Sequence, residues 1–384
     1  MNIVYIIPSL EVKGGAERII IEKANYLSEH FGYNVSIITQ CHHHDAPIAY
    51  PMSEKTHLIN LGIPYYNQYE YNYPKRLWIK RKINKRIQKE TTDAVQKIDP
   101  DILVILPFFK PNIAYPIPCR AKIVIEVHEP LEYHLYSDFQ NKSWISKLFK
   151  IHYFNTIVKN ADVFVSLTDN ERKLLKKAHR VEVISNFSSM DIRQYSTCTA
   201  KRVIAVGRLT PVKGYERLLN IWGNVNAKHP DWHLDIFGDG SLKNELTDYA
   251  NSNHINNVTL RGITHHISQE YANSSICTVT SYYEGFSLVI LEAMMHGVPC
   301  VAFDCPNGPR SIIKDQQCGY LIENGNDNLF TEKLCHLIED QQLRRQFSDA
   351  AIERSKIFDI SVIMGQWKAL FESLSVNKNN HQHQ

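Results

Sequence analysis

No apolar run in this sequence is long enough to cross a bilayer. The longest, Ile102 to Phe109, contains Pro107 and falls far short of the ~20 residues a spanning helix needs. Any membrane contact is therefore expected to be peripheral. There is no Cys-x-x-Cys pair, and the eight cysteines have no regular spacing. With no signal-peptide pattern at the start, this reads as reduced thiols in a cytosolic protein. Cys300 and Cys305 read as small core residues. Neither sign of charge dominates, and a formal net charge of +3 is too small to imply nucleic acid. Short internal repeats and low-complexity segments are missing as well. Metal signatures are sparse. His42-His43-His44-Asp45 has no partner cluster at ligand spacing. The only Asp-x-Asp, Asp99-Pro100-Asp101, precedes a strand at its entry edge, where a turn explains it. No metal or other cofactor is expected.

What is present is apolar residues in quantity, 43% over 384 residues, enough for two cores of ordinary size. Ile3 to Pro8 reads as a buried parallel strand. A loop ending in Gly14-Gly15 follows, then a helix from Ala16 to about His30 and a second strand over Val35 to Thr39. This is the start of a doubly wound α/β fold, in which ligands bind beyond the carboxyl ends of the strands. Gly14-Gly15 is not a Gly-x-Gly-x-x-Gly, so a dinucleotide site is weakly signalled. The pair is either a turn or a bare backbone that phosphate or substrate can approach. Residues 41–74 show no clear period.

The alternation continues with strands over Asp101–Leu106 and Lys122–Val127. His128 and Glu129 stand at the carboxyl edge of the second. A helix is expected over Ser143–Lys159, a strand over Val163–Leu167, a helix over Asp169–Ala178 and a strand over Val181–Ile184. Residues 1–187 then form the first domain, and the polar stretch 188–200 reads as the linker. A fresh β/α series follows over 201–358, with strands at Arg202–Val206, Trp232–Phe237, Val258–Leu260, Ile276–Thr280, Pro299–Phe303 and Gly319–Ile322. A last helix is expected within 359–376 and a disordered tail over 377–384. Two such parallel sheets would put their carboxyl-end loops on one cleft.

Between Lys75 and Lys89 lie eight Lys/Arg and no acid. Ile79, Ile83 and Ile87 recur every four residues as one apolar stripe, with Arg81, Lys82, Lys85 and Lys89 opposite and Trp78 among them. This is either a solvated helix face or a basic surface for anionic phospholipid or a lipid-linked pyrophosphate.

The densest candidate for chemistry is Glu284-Gly285-Phe286-Ser287-Leu288-Val289-Ile290-Leu291-Glu292. A strand leads into it, and a helix is expected from Ser287, with Leu288, Leu291 and Met295 inward. Glu284 then lies on the strand-to-helix loop and Glu292 about two turns inside. At ~1.5 Å per residue the two carboxylates would be roughly 9–12 Å apart, about the span of a nucleotide sugar from ribose to sugar. The helix start between them offers free N–H groups and a positive dipole end, a seat for phosphate. Two glutamates around a helix start are more often a first-turn charge and a solvated face. Their companion is Gly207-Arg208-Leu209-Thr210-Pro211-Val212-Lys213-Gly214, which places two cations on one strand-to-helix loop. Such charges are commonly surface charges, but beside a phosphate seat they could stabilise a leaving nucleoside diphosphate.

These motifs resemble the retaining GT-B glycosyltransferases of family 4, and the resemblance covers almost the whole chain. Gly14-Gly15-Ala16-Glu17, His128, Ser185-Asn186 and Gly238-Asp239-Gly240 fall in matching places. The resemblance implies two Rossmann-like domains facing across a cleft, with the C-terminal helix crossing back to the first. It implies that Arg208 and Lys213 hold the diphosphate and that Glu292 binds the ribose hydroxyls. Glu284 and the backbone of Gly285, Phe286, Ser287 and Leu288 would grip the donor sugar and distal phosphate. His128 would contact the transferred sugar, and Gly14 and Gly15 the phosphate and acceptor side. Asn186, Gly207, Gly238 and Gly240 would line the donor. The expected activity is transfer of a hexosyl or N-acetylhexosaminyl group from a UDP-linked sugar to a lipid-linked or growing surface glycan. Asp304-Cys305-Pro306-Asn307-Gly308-Pro309 departs from the glycine-rich form of many members and is similar to a branch acting on bacterial surface-glycan precursors. The alternatives are a nucleotide-sugar isomerase or epimerase on the same scaffold, and a catalytically silent sugar-binding module.

Overall fold

The computed structural model describes residues 1–106, 117–128, 155–173, 175 and 177–380, with side chains as far as 375. Glu129, most of the helix expected over Ser143–Lys159 and the last four residues lie outside that range. The chain divides into two compact units, Met1–Ile184 with Ser361–Gln384, and Ser185–Ile360.

In the first unit seven strands form one sheet in the order β3-β2-β1-β4-β5-β6-β7. They are β1 (Asn2–Ile7), β2 (Asn34–Thr39), β3 (Thr56–Asn60), β4 (Ile102–Ile105), β5 (Lys122–Glu126), β6 (Val163–Ser166) and β7 (Val181–Val183). All neighbours pair in parallel, with Ile3 opposite both Val35 and Ile102, and Leu103 opposite Ile123. The central strands are buried on both faces, as parallel sheets demand, which is why they read as unbroken apolar runs. Helix α1 (Gly15–His30) returns the chain from β1 to β2 and buries Ile20, Ala24 and Leu27. The second unit repeats the design with six parallel strands in the order β10-β9-β8-β11-β12-β13. These are β8 (Arg202–Val206), β9 (His233–Phe237), β10 (Val258–Gly262), β11 (Ile276–Val279), β12 (Cys300–Asp304) and β13 (Gly319–Glu323). Its core gathers Trp222, Leu234, Phe303 and Phe330, with the two phenylalanine rings 4.6 Å apart.

Several elements differ from the sequence reading. Strand β3 was not anticipated, because it is an edge strand with only Thr56 buried, and its pairing with β2 rather than its own pattern makes it a strand. Helix α2 (Lys75–Ile98) runs nine residues beyond Lys89, where the basic stretch ends, with the stripe continued from Ile87 by Thr91 and Val95. It stops where Asp99 turns left-handed, at φ 47°, before Pro100. Among the described residues, the helix expected over Asp169–Ala178 is helical only at Asp169–Arg172. Short helices at Ile267–Ala272 and Gly308–Ile312 carried too few residues to show a period. The segment 188–200 is held by the second unit. Cys198 is buried, and the Ser196 backbone N–H donates to the His296 carbonyl at 2.8 Å.

The C-terminal helix (Ile360–Asn380) packs within the first unit and continues past the expected end at 376, since residues 377–380 hold no Gly or Pro. Tyr33 donates to Glu372 at 3.1 Å and Arg180 to Ser373 at 3.2 Å. The main anchor is Trp367, whose ring lies 3.7 Å from the Lys23 ammonium of α1. Lys23 in turn forms a buried ion pair with Glu126 at the end of β5. Burial alone would raise the Glu126 carboxyl, but Lys23 and His128 outweigh it and hold it at about 2. Its contribution to stability is therefore complete above the usual carboxylate value and is lost as pH falls toward about 2. Burial lowers the Lys23 ammonium to about 8 against the pull of Glu126. We expect the urea midpoint of the native protein to fall more steeply between pH 4.5 and 3 than that of Glu126→Gln, measured by fluorescence. Equal slopes would show that this carboxylate is not held down by folding.

Candidate active site

The second unit brings together the loops that follow β8 and β11, neighbouring strands of its sheet. The contact falls on main-chain carbonyls of the first loop. The Tyr282 N–H donates to the Val212 carbonyl at 2.8 Å, and the Thr280 hydroxyl donates to the Gly214 carbonyl at 3.0 Å. Only glycine fits at 214. Its φ is +65°, and a Cβ there would lie 2.3 Å from the Thr280 carbonyl oxygen. Arg217, one turn further on, donates to that same oxygen at 2.6 Å and stacks on Phe303, its guanidinium 3.6 Å from the ring centre.

This junction sets Lys213 on Glu284. The ammonium donates to the carboxylate at 2.7 Å, and the Ser281 hydroxyl donates to the same oxygen at 2.6 Å. The pair is largely shielded, with side-chain exposures of 22% for Lys213 and 10% for Glu284. It lines a narrow recess with Tyr215, Thr278 and Val289. Burial pushes the Tyr215 phenol well above its usual range, and the Glu284 charge adds to this, so it stays a neutral hydroxyl.

The helix after β11 begins at Leu288 and ends at Met295. Glu292 is thus its fifth residue, little more than one turn inside rather than two. The inward face also differs from the expected Leu288, Leu291 and Met295. Ile290, Leu291, Ala293 and Met294 are buried, because the helix is covered on more than one side. Ser287 stands at the N-cap without a side-chain cap, leaving the first N–H groups of the helix available. Phe286 is buried and packs edge-on against Phe358, ring centres 5.5 Å apart, so only its backbone is free to meet a ligand. Glu292 is buried too and accepts from the Tyr271 hydroxyl at 3.3 Å. Behind it, His296 approaches the Glu292 carbonyl at 2.7 Å and the Ser268 hydroxyl at 2.7 Å. Burial lowers the His296 imidazole below its ordinary value.

Gly207, Gly238 and Gly240 sit where main chains touch. A Cβ at Gly238 would lie 1.9 Å from the Gly207 carbonyl oxygen, and the Leu209 N–H donates to the Asp239 carbonyl at 2.9 Å. These glycines let the loops after β8 and β9 close on each other. Arg208 is exposed and, among the described residues, stands outside the Lys213–Glu284 pair. Asn186 is buried at the start of the second unit.

In the first unit, Gly14 caps α1 and Gly15 is its first residue. The Gly14 backbone is extended, at φ −113°, and a Cβ would meet only the movable Glu17 carboxylate, so conformation does not require glycine there. His128 follows β5, with Nε2 2.8 Å from the Glu126 carboxylate. The exposed face of α2 carries Arg81, Lys82, Lys85 and Lys89 as expected. Around it lie Trp78, 64% exposed, Tyr73, 76% exposed, and Leu77. Asp101 holds the Asn2 N–H at 2.9 Å, at the amino edge of the sheet. His43 contacts Glu11 at 3.0 Å, and no group of three or more His, Cys, Asp or Glu residues among those described could hold a metal.

Sequence reasoning missed three participants. Ser281 was within reach, three residues before Glu284. Tyr215 adjoins Lys213-Gly214 but read as a helix start. Asn307 pairs its backbone with Glu284 just beyond β11 and β12, at φ 80° and ψ −76°, and its buried side-chain amide nitrogen has no partner among the described residues. Only the fold brings residues 284 and 307 side by side.

Comparison with known proteins places this geometry. The glycosyl transferases group 1 family matches residues 193–354, and glycosyltransferase family 4 matches residues 13–191. The chain is 35% identical over 218 residues to the amylovoran biosynthesis glycosyltransferase AmsD of Erwinia amylovora, covering 54% of this chain and 61% of AmsD. An uncharacterized glycosyltransferase of Haemophilus influenzae is 26% identical, over 95% of this chain and 98% of its own. The poly(ribitol-phosphate) alpha-N-acetylglucosaminyltransferase of Staphylococcus aureus is 30% identical over 56% of this chain and 46% of its own. Among solved structures, a sucrose-phosphate synthase from Thermosynechococcus elongatus superposes with a TM-score of 0.80 at 18% identity, covering 98% of this chain and 99% of that one. Anabaena HepE in complex with UDP and glucose does so at 0.71 and 19%, covering 97% of this chain and 100% of HepE. The two matched regions adjoin, and the chain belongs to the family 4, group 1 glycosyltransferases of the GT-B fold.

Proposed function

We propose that this chain transfers a hexosyl or N-acetylhexosaminyl group from a UDP-linked sugar to a lipid-linked or growing surface glycan. Anomeric configuration is retained and no metal is used. The observation that carries this reading is the shielded Lys213 ammonium, placed by the β8 and β11 loops on Glu284 at the uncapped start of the Leu288–Met295 helix. The donor's diphosphate seats on that helix start and shares the ammonium with Glu284, while Arg208, exposed on the same loop, closes over it. A cation about 4 Å from an oxyanion contributes up to ~4 kcal/mol at an effective dielectric near 20, before desolvation. The carboxylate already on Lys213 reduces that gain, so the helix start and Arg208 share the work.

The remaining roles follow. Glu292 takes the ribose hydroxyls. Glu284 and the backbone of residues 285–288 take the donor sugar and distal phosphate. Asn186, Gly207, Gly238 and Gly240 line the donor, and Gly14 and Gly15 the phosphate and acceptor side. His128 meets the transferred sugar. The bond from the anomeric carbon to phosphate breaks, the bond to the acceptor oxygen forms on the same face, and the acceptor proton passes to the leaving phosphate. The protein's main contribution is then stabilisation of the leaving group's charge. The names of the Staphylococcus relative and of the HepE complex support an N-acetylhexosaminyl or hexosyl donor on UDP. No described helix is long and apolar enough to cross a membrane. We assign the basic face of α2, with exposed Trp78 and Tyr73, to anionic lipid at the cytoplasmic membrane surface, where a lipid-linked acceptor would lie.

Lys213→Ala and Glu284→Ala should each lower transfer from a UDP-sugar by about 100-fold or more, the usual effect of removing one charge-stabilising group, with the melting curve preserved. Full activity in either folded variant removes the assignment. Transfer should be unaffected by EDTA, and a loss restored by added Mg²⁺ or Mn²⁺ would replace the metal-free account. Changing Arg81, Lys82, Lys85 and Lys89 together to Glu should abolish co-sedimentation with anionic liposomes at low salt. Unchanged sedimentation, or none in the native protein, would leave α2 as a solvated face.

A further inference from the structure

The first unit buries a charged cluster that the reaction scheme above does not use. Lys23 of α1 and Glu126 of β5 form an ion pair in which each side chain is 1% exposed. Burying two charges is expensive, and an apolar pair of equal volume often stabilises a fold as well or better. Stability alone is therefore a weak reason for this pair. Its position supplies another. Glu126 and His128 are two residues apart, so an extended chain sends both side chains to one side. There the Nε2 atom of His128 lies 2.8 Å from the Oε1 atom of Glu126, the same oxygen that receives the Lys23 ammonium. The approach is short but off the ring N–H axis, since Nε2 completes no aligned hydrogen bond. A small ring rotation would complete it.

We propose that Glu126 is a positioning residue for the His128 imidazole and that Lys23, covered by Trp367, holds the carboxylate in place for that task. The ammonium is buried. It faces the Trp367 ring at 3.7 Å and the Tyr5 ring at 5.6 Å, both buried, and its ion partner is Glu126. The second oxygen of Glu126 and the Tyr5 hydroxyl are buried with no hydrogen-bond partner among the described residues, so the carboxylate keeps spare acceptor capacity beside the imidazole. Three elements distant in sequence thus converge on the Lys23–Glu126 pair that His128 meets: α1 through Lys23, β1 through Tyr5, and the C-terminal helix through Trp367. A displacement of that helix would reach the imidazole in three contacts. The proposal rests on the reading that His128 acts at the transferred sugar, and its test separates the two.

The test uses the full chain with Lys23→Met/Glu126→Gln, which removes both charges and leaves neither buried alone. Glu126→Asp, which retains the charge on a shorter stem, serves if the double variant does not fold. With histidine labelled in ¹⁵N, the His128 ring resonances should shift in either variant. Turnover should fall about 10- to 100-fold, the scale for a catalytic group displaced by an ångström or less, with the donor KM within about twofold. Adding His128→Ala should cost little more, because groups acting as one unit are not additive. Unchanged ring resonances, or turnover losses that multiply, overturn the positioning role. If His128→Ala alone keeps full turnover, the sugar contact fails instead, and the ring resonances still decide the positioning.

Discussion

The second unit depends on one close approach, the backbone of residue 214 against the carbonyl of Thr280. No side chain larger than hydrogen fits there. The approach lets the Tyr282 N–H and the Thr280 hydroxyl reach main-chain carbonyls of the loop after β8, and from those bonds the position of Lys213 on Glu284 follows. Adjacent strands in a parallel sheet stand about 4.8 Å apart, so their carboxyl-end loops meet only if one is bare. Arg217 secures the same carbonyl from the other side. The electrostatics of the site thus rest on a steric fact. Two charges separated by 71 positions in the sequence are within hydrogen-bond reach because a glycine removes the obstacle between their loops.

The first unit places charge differently. Its carboxylate is held by a lysine sealed under aromatic rings, and one of those rings comes from the far end of the chain. Such an arrangement survives only where the partners are fixed, since either ion left alone in the core would be strongly destabilising. The C-terminal helix therefore contributes more than apolar cover. In the second unit the cation is partly exposed, whereas in the first it is sealed in the core.

Much of this was legible beforehand. Parallel strands buried on both faces announce themselves as apolar runs, and among the described residues twelve of the thirteen strands match the sequence reading within a residue or two. The exception, β3, is an edge strand whose existence depends on β2. Helix ends were less legible. The extension of α2 to Ile98 rides on Thr91 and Val95, which look unremarkable until the sheet beneath them is known. Motif residues such as Lys213, Glu284 and Glu292 could be named because glycine and helix-start chemistry mark their loops locally. Their surroundings could not. The burial of Phe286 against Phe358 and the backbone pairing of Asn307 with Glu284 join segments with no local signature in common.

The sequence by itself determined the fold class, the two β/α series and the residue types gathered at each strand-to-helix loop, because periodicity, glycine and charge act over a few neighbouring positions. Only the tertiary structure decided which of those loops touch, how deep Glu292 sits in its helix, and that Lys23, Glu126 and Trp367 share one buried site. Those outcomes depend on distances between residues remote in the chain. Such distances are set by packing two faces of a sheet rather than by any local preference.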